Sequence, residues 1–400
     1  MKTRRPIRGI TIALASIAVA SALILLEEPM DPEAECCDHL FYRAQSVAWL
    51  GLDEPAVLSI PAGNRLDAVY DEYYYDRANG LTRQPPYVYR VAVPALAGAL
   101  GKLTDIDHAY RVLHWAVLAT IAFLSGYAVL SLTGGAMVPA LGATIVVLAT
   151  PQMARSFADN YMVTDPASIM IVSLVLLLTI RRDFFAASLV AAFVAPLVKE
   201  TLVPLALSVA LAAWISGRPR RVYWVLAVVP LVLQAFVRSV MSVADRPRIS
   251  EMFVLEDPYL GLLAFAAAFA PVMLLLVGLI ERSIRLWVVS FLPLAVGLLV
   301  ITTSAIADGP RIWLTFWPVL LALGLGGLWR IQGPAWLKYS WLAVLVASAA
   351  IGSLAGLRPE VAPLRWLALL LSLAALGLLM LQFLGSPSNP RDVQGSLGPE

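Results

Sequence analysis

Charged and aromatic side chains crowd one long polar segment, residues 27–109, which follows the first apolar stretch of the chain. Early in this segment, Tyr42 and Gln45 follow Asp38 at i+4 and i+7, a spacing that places the three side chains on one face of a helix. A carboxylate at this position predicts either a helix N-cap or a group that accepts a proton or binds a metal ion. The sequence leaves both interpretations open.

The same segment also contains YDEYYYDRANGLTRQPPYVYR, which combines tyrosines with arginines. Tyr87 and Tyr89 belong either to an interfacial aromatic belt or to a surface that stacks on sugar rings, and we take them, with Tyr42 and Arg43, as candidate substrate contacts. The guanidinium of Arg90 is predicted either to bind a phosphate with two parallel hydrogen bonds or to anchor the chain at a membrane interface.

Two later segments place acids beside apolar runs. In ARSFADNYMVTDPAS, Asp159 and Asp165 are candidates for binding an acceptor or a metal ion, but Asp165-Pro166 also fits a helix N-cap followed by proline at the first helical position. In PLVKETLVPLA, Lys199 and Glu200 interrupt a long apolar stretch. Ionisable residues at such depth indicate function, unless they mark the outer turn of a helical hairpin and pair with other charges.

The segment SAIADGPRIWLTFWPVLL places Asp308 and Arg311 in a tight turn before another apolar run. An arginine at the start of a helix opposes the helix dipole, which favours a role in binding an anion over a role in helix stability. Pairing with Asp308, itself an acceptor or metal candidate, is the alternative interpretation.

These residues are set in a chain that is 60% hydrophobic and 14% charged, against about 25% charged in an average soluble domain. Repeated apolar runs predict an all-α polytopic membrane protein with about twelve transmembrane helices in a single integral domain, residues 1–384, and a disordered cytoplasmic tail, 385–400. The predicted spans are 9–26, 110–132, 135–150, 165–180, 184–198, 201–216, 222–238, 259–280, 286–304, 312–329, 339–356 and 365–384.

Arginine and lysine fall mainly in the loops on one side of these spans, so the positive-inside rule predicts a cytoplasmic N-terminus. Nearly all acids then fall on the other side, which makes residues 27–109 the first extracytoplasmic loop in the cell membrane. Apolar stripes in this loop predict amphipathic helices that lie on the membrane surface or pack against the bundle. The stripes comprise Phe41, Tyr42, Val47, Trp49 and Leu50, and Val88, Val91, Val93, Leu96 and Leu100.

The sequence lacks a glycine-rich nucleotide loop, a Walker motif and a nucleophile elbow. It gives no indication of nucleic-acid binding, and its adjacent cysteines match no zinc-ligand spacing. Because nucleotide-activated sugars are not supplied outside the cell, an extracytoplasmic transfer reaction would need a substrate activated on a lipid.

Together these features resemble the GT-C superfamily of polyprenyl-phosphate-sugar-dependent glycosyltransferases, which includes protein O-mannosyltransferases and lipid A aminoarabinose transferases. The resemblance covers most of the chain in topology. At the level of motifs it depends on four short segments, with a histidine in place of the second acid that the family often has in the first. They are Asp38-His39 followed by Phe41-Tyr42, PYVYRVAVP at 86–94, KET at 199–201 and DGPR at 308–311.

The resemblance implies that Arg90, Lys199 and Arg311 neutralise the phosphate of a polyprenyl-phosphate sugar. Asp38 would deprotonate an acceptor hydroxyl of a glycan, lipid or protein, and the transfer would invert the anomeric carbon. Asp159 or Glu200 would orient the acceptor or bind a divalent cation, magnesium or manganese, although no cofactor is required by the sequence.

Two other classes of protein remain as alternatives. A multi-span transporter or lipid flippase predicts ionisable residues and broken helices near the bilayer centre. A non-catalytic membrane assembly subunit predicts that the candidate residues point away from each other.

Overall fold

The computed structural model describes residues 4–26, 42, 46, 90–149, 165–241, 278–279, 281–304, 314–357 and 363–384. Within these ranges the chain consists of helices joined by turns, without a β-strand, so the predicted all-α class is confirmed.

The helices follow one another as α1 (Arg4–Leu26), α2 (Ala92–Gly101), α3 (Ile106–Leu132), α4 (Met137–Val146), α5 (Asp165–Ile180), α6 (Phe184–Leu189), α7 (Ala195–Val198), α8 (Pro204–Ile215), α9 (Arg221–Met241), α10 (Arg282–Ser290), α11 (Leu292–Ser304), α12 (Trp317–Arg330), α13 (Ala335–Leu357) and α14 (Leu364–Leu384).

Helix α3 is the central element of the first half of the bundle, because it packs against α1, α2, α4, α5 and α12. It begins where the Asp105 side chain accepts a hydrogen bond from the backbone N–H of His108, 2.7 Å away, as an N-cap does. After its last residue, Leu132, the chain turns at Gly134, whose positive φ of 67° lets the N–H of Gly135 reach the carbonyl oxygen of Leu130. Both ends of α3 are therefore fixed by local sequence.

The stretch from α6 to α8 is a helical hairpin that is broken at its turn. A π-helical segment, Val190–Val194, joins α6 to α7, and α7 ends at Lys199, whose backbone is extended (φ −160°, ψ 135°). A single 3₁₀ turn, Glu200–Leu202, then leads into α8, which packs back against α6. Pro196 and Pro204 lie in the first turns of α7 and α8, where the missing N–H is tolerated. The break places Lys199 and Glu200 between two helices.

Three of the described helices are long and apolar enough to cross a membrane, namely the parts Pro6–Leu25 of α1, His108–Leu132 of α3 and Ala335–Gly352 of α13. Other apolar helices, such as α5 with 16 residues, are shorter. Membrane character is thus supported by length and composition, while the predicted number of twelve spans remains a prediction.

Helix α2 occupies the end of the segment predicted to be the first outer loop. Val93 and Ala97 are buried against the bundle, whereas Leu96 is 49% exposed. Of the predicted stripe that includes Val93 and Leu96, the structure therefore packs Val93 on the other helices and leaves Leu96 exposed. The first stripe, most of span 259–280 and the tail 385–400 lie outside the described residues.

Candidate functional site

Arg90 is held by hydrogen bonds from three of its nitrogens. It lies just before α2, and its Nε and Nη2 donate to Glu200 Oε2 and Oε1 at 3.0 and 2.5 Å, a bidentate ion pair. Its Nη1 donates to the hydroxyl of Tyr42 at 2.8 Å. Planar guanidinium groups form such paired bonds with carboxylates or phosphates, and each bond is stronger than one between neutral groups. The geometry fixes the plane of the Arg90 side chain.

A second ion pair joins Lys199 to Asp165. The Lys199 Nζ donates to Asp165 Oδ1, and both side chains are almost fully buried. Asp165 is the first residue of α5, so the predicted helix start at Asp165-Pro166 is confirmed. Its carboxylate is bound to a lysine 34 positions further along the chain. The pair ties the start of α5 to the break between α7 and α8.

These five residues, Tyr42, Arg90, Asp165, Lys199 and Glu200, form what we call the paired-charge cluster. It contains two cations and two carboxylates, so its formal charges cancel. Burial disfavours the charged forms, but the combined attraction of Glu200, Tyr42 and Asp165 outweighs it at Arg90, whose pKa is raised above its ordinary value. Likewise, burial alone would raise the pKa of the Glu200 carboxyl, but Arg90 lowers it below its ordinary value. The Arg90–Glu200 pair therefore stays ionised at neutral pH.

The backbone of Tyr42 is fixed by two hydroxyl groups that the sequence analysis did not identify. The Tyr110 hydroxyl, near the start of α3, donates to the Tyr42 carbonyl oxygen at 3.0 Å and lies 2.7 Å from Ser46 Oγ. Ser46 Oγ in turn donates to the same carbonyl at 2.9 Å. Nothing in the local sequence distinguishes Tyr110 from the other tyrosines, because its partners lie more than sixty positions away.

Gln234 supports the break beside the cluster. It is buried in the apolar helix α9, and its Nε2 donates to the carbonyl oxygen of Pro196 in α7. The last carbonyls of a helix lack partners within that helix, and a buried carbonyl without a hydrogen bond is costly. A lone glutamine within an apolar run was the signal in the sequence that would have identified this residue.

An apolar cavity of about 170 Å³ adjoins the cluster. Its walls are formed by α2, α3, α5 and the stretch Val194–Val198, and residues next to the cluster line it. Pro166 follows Asp165, Val198 precedes Lys199, and Tyr110 contacts both the cavity and the backbone of Tyr42. His114 adds a buried imidazole to the wall. The site thus combines a charged region with an apolar one.

The described carboxylates do not provide a site for a divalent cation. Asp165 is bound to Lys199 and Glu200 to Arg90, and metal ions of this type need several oxygen ligands that are free to coordinate. Among the described residues no group of three or more histidine, cysteine, aspartate or glutamate side chains lies close enough to hold a metal. The predicted magnesium or manganese site therefore stays a prediction.

The structure brings together five of the residues predicted from sequence, those of the paired-charge cluster. For Lys199 and Glu200 it shows the alternative that the sequence left open, a hairpin turn whose charges pair with charges from other segments. The remaining candidates, Asp38, Arg43, Tyr87, Tyr89, Asp159, Asp308 and Arg311, lie outside the described residues.

No protein-family model matches this chain. No curated protein matches it, and no solved structure does either. The arguments for function therefore depend on the residues of the chain and their arrangement.

Proposed function

We propose that the chain is an integral-membrane glycosyltransferase that moves a sugar from a polyprenyl-phosphate donor to an extracytoplasmic acceptor. The observation that carries the proposal is that three residues adjoining the paired-charge cluster, Tyr110, Pro166 and Val198, line the apolar cavity. A lipid-linked phosphate has a matching division into an anionic head and a hydrocarbon chain. The convergence of Arg90 and Lys199, both predicted to bind phosphate, supports the same assignment.

The proposed membrane setting is multi-pass, with the cluster on the extracytoplasmic side. Two arginines support this arrangement, because Arg8 and Arg330 bond to carbonyl oxygens in the turn 132–135, at the end of α3 opposite Tyr110. The length of α3 between Tyr110 and Leu132 is about 33 Å, close to the thickness of a bilayer core. Basic residues on one side of such a helix favour that side as cytoplasmic.

The proposed reaction is a direct displacement at the anomeric carbon. The acceptor oxygen forms a bond to that carbon while the bond from carbon to the phosphate oxygen breaks, and the polyprenyl phosphate leaves with the bonding electrons. The acceptor proton passes to Asp38, the predicted general base. Arg90 stabilises the negative charge that grows on the phosphate, a role suited to a guanidinium held in a fixed plane. One displacement inverts the anomeric configuration.

The test is sugar transfer in membranes that contain the full chain, with a panel of radiolabelled polyprenyl-phosphate sugars. We expect the wild-type protein to transfer label from at least one donor and Asp38→Asn to lose transfer while remaining folded and inserted. Asp105→Asn is the matched control. Asp105 is an exposed N-cap of α3, and asparagine caps a helix about as well as aspartate.

Equal transfer by the wild-type protein and Asp38→Asn would remove Asp38 from the mechanism but leave the enzyme class intact. Failure of the wild-type protein to transfer sugar from every donor in the panel, in membranes that contain its native acceptors, would contradict the proposed function.

One observation favours a second candidate, a transporter or flippase of lipid-linked phosphates. The π-helical segment Val190–Val194 and the break at Lys199 interrupt an apolar hairpin beside buried charges, as in transporters that bind substrate at discontinuous helices. Proteoliposomes distinguish the two functions. A flippase exposes a labelled lipid phosphate to the opposite leaflet without transferring sugar, whereas the proposed enzyme transfers sugar without needing that movement.

A further inference from the structure

The two ion pairs of the cluster differ in their access to solvent. The side chains of Asp165 and Lys199 are 2% and 6% exposed, whereas those of Glu200 and Arg90 are 22% and 10% exposed. A buried pair that is broken leaves an uncompensated charge in a poorly solvated place. The Arg90–Glu200 pair is therefore the one that can open at lower cost.

The hydrogen bonds of Arg90 also lie on two different edges of its guanidinium group. Glu200 occupies the edge formed by Nε and Nη2, the edge on which guanidinium groups bind oxyanions with two parallel bonds. Tyr42 holds Nη1, on the other side of the guanidinium. If Glu200 moves away, the bond to Tyr42 still orients Arg90, and two oxygens of another anion fit the vacated edge.

The backbone at Glu200 allows such a movement. Glu200 begins a 3₁₀ turn of three residues, and it directly follows Lys199 in an extended conformation. A side chain on a short turn is less restricted by neighbouring turns of helix than one in the middle of a helix. Lys199 and Asp165 remain paired and anchor the turn while Glu200 changes its contact.

We propose that Glu200 is an exchangeable counter-ion of Arg90, which the anionic head of an amphipathic phosphate replaces while the apolar chain enters the cavity beside Tyr110 and Val198. The inference rests on the proposed function for the class of ligand, a lipid-linked phosphate. It adds that Glu200, a carboxylate of the chain itself, holds the edge of Arg90 that would bind the phosphate. Glu200 thereby lowers the apparent affinity for the anion, because only the molecules in which Glu200 has moved away can bind it.

The test is binding of farnesyl phosphate to the full chain in nanodiscs of neutral phosphatidylcholine, with inorganic phosphate and farnesol as separate probes. We expect Glu200→Gln to bind farnesyl phosphate more tightly, by about tenfold if Glu200 leaves Arg90 in about a tenth of wild-type molecules. Tyr42→Phe, which removes the hydrogen bond from Arg90 Nη1 to the Tyr42 hydroxyl, should bind farnesyl phosphate more weakly. Farnesol should respond to neither substitution, and inorganic phosphate should bind more weakly than farnesyl phosphate.

The opposite signs of the two variants are the decisive feature. A merely structural cluster would be disturbed by both substitutions and would lose affinity in both, and that result would overturn the proposal. Absence of farnesyl phosphate binding to both the wild-type protein and Glu200→Gln would also overturn it. Asp105→Asn removes a carboxylate that does not contact Arg90, and an equal gain in that control would assign the effect to general charge instead of exchange.

Glu200→Asp covers the case in which Glu200→Gln does not fold. Its shorter carboxylate reaches Arg90 less well, so we expect a smaller gain in affinity, and a loss would contradict the exchange. Sugar transfer is measured on the same preparations. If farnesyl phosphate binding follows the expected pattern but no sugar is transferred, the exchange of Glu200 is supported and the glycosyltransferase function is refuted. If sugar is transferred but Glu200→Gln binds farnesyl phosphate more weakly, the glycosyltransferase function is supported and the exchange is refuted.

Discussion

Helix α3 has cations near both of its ends, and they are satisfied in different ways. Near its start, Arg90 and Lys199 bind carboxylates in the paired-charge cluster. Near its end, Arg330 and Arg8 donate to backbone carbonyl oxygens of the turn 132–135, which we call the carbonyl-cap end. In the first arrangement, carboxylate side chains neutralise the two cations. In the second, the arginines donate hydrogen bonds to carbonyl oxygens at the helix end that have no partner within the helix.

The difference separates a candidate binding site from a structural brace. The carbonyl groups at the end of a helix are partial negative charges that cannot leave, so a cation bound to them is fixed in place. A carboxylate on a side chain can be exchanged for a carboxylate or phosphate of a ligand. We therefore expect substitutions at the carbonyl-cap end to change stability alone, and substitutions in the cluster to change stability and ligand binding separately.

The largest expected effect is that of Asp165→Asn. It leaves the ammonium group of Lys199 buried without its carboxylate, a change that destabilises proteins by about 3–5 kcal/mol. Thermal unfolding in detergent, followed by tryptophan fluorescence and size-exclusion chromatography, should show a large fall in stability or a loss of monodisperse protein. Asp105→Asn is again the control and should unfold like the wild-type protein.

A double substitution sharpens this prediction. Replacing Asp165 with leucine and Lys199 with methionine together removes both buried charges, and apolar replacements of buried pairs are often close to neutral. We expect the double variant to be more stable than Asp165→Asn alone. An additive loss in the double variant would show that the pair contributes through contacts other than the attraction between its charges.

The positions of the helices could be predicted from the sequence, but the pairing of their charges could not. The predicted span 165–180 coincides with α5, and 184–198 covers α6, the π-helical segment and α7, because charged or proline-containing stretches bound these apolar runs. Hydropathy gives the position of a helix along the chain and not its neighbours. Arg90 and Glu200 are 110 positions apart, so their contact depends on how α2 packs against α7.

The supporting hydrogen bonds were beyond sequence reasoning for a related reason. Tyr110 and Gln234 each lie in an apolar helix, and their partners are a carbonyl oxygen of another segment. Every residue carries the same backbone carbonyl group, whatever its side chain, so no sequence motif marks the acceptor. Only the buried polar atom in an apolar run indicates that a partner must exist.

The second largest effect is expected at the carbonyl-cap end. Arg330→Met removes two charged hydrogen bonds, from Nε and Nη2, to the carbonyl oxygen of Leu132, and we expect a loss of about 2 kcal/mol. Thermal unfolding measures the loss, and farnesyl phosphate binding should not change. Arg220→Met, at an exposed position, is the control. A change in farnesyl phosphate affinity in Arg330→Met would contradict the distinction between the binding site at the start of α3 and the structural brace at its end.

A smaller effect is expected for Gln234→Leu, which tests the brace beside the cluster. Leucine fills a similar volume but leaves the Pro196 carbonyl oxygen without its donor, at a cost of about 1–2 kcal/mol. Because the break at Lys199 is then less firmly held, farnesyl phosphate affinity should fall together with the unfolding temperature. Unchanged affinity with reduced stability would show that the break keeps its shape without Gln234 and that this glutamine belongs with the structural braces.

The smallest effect is expected for Arg8→Met. Its Nη1 donates a single bond, 2.8 Å long, to the carbonyl oxygen of Gly135, and the side chain is only partly buried, so we expect a loss of about 1 kcal/mol or less. Arg8→Lys should recover part of it, since an ammonium group still favours the negative end of α3. The unfolding temperature measures both variants. Because Arg8 is also one of the charges predicted to set orientation, tag accessibility in intact cells is measured beside it. A change in topology with unchanged stability would mean that Arg8 acts during insertion, and its bond to Gly135 would then not be the brace that the comparison of the two ends requires.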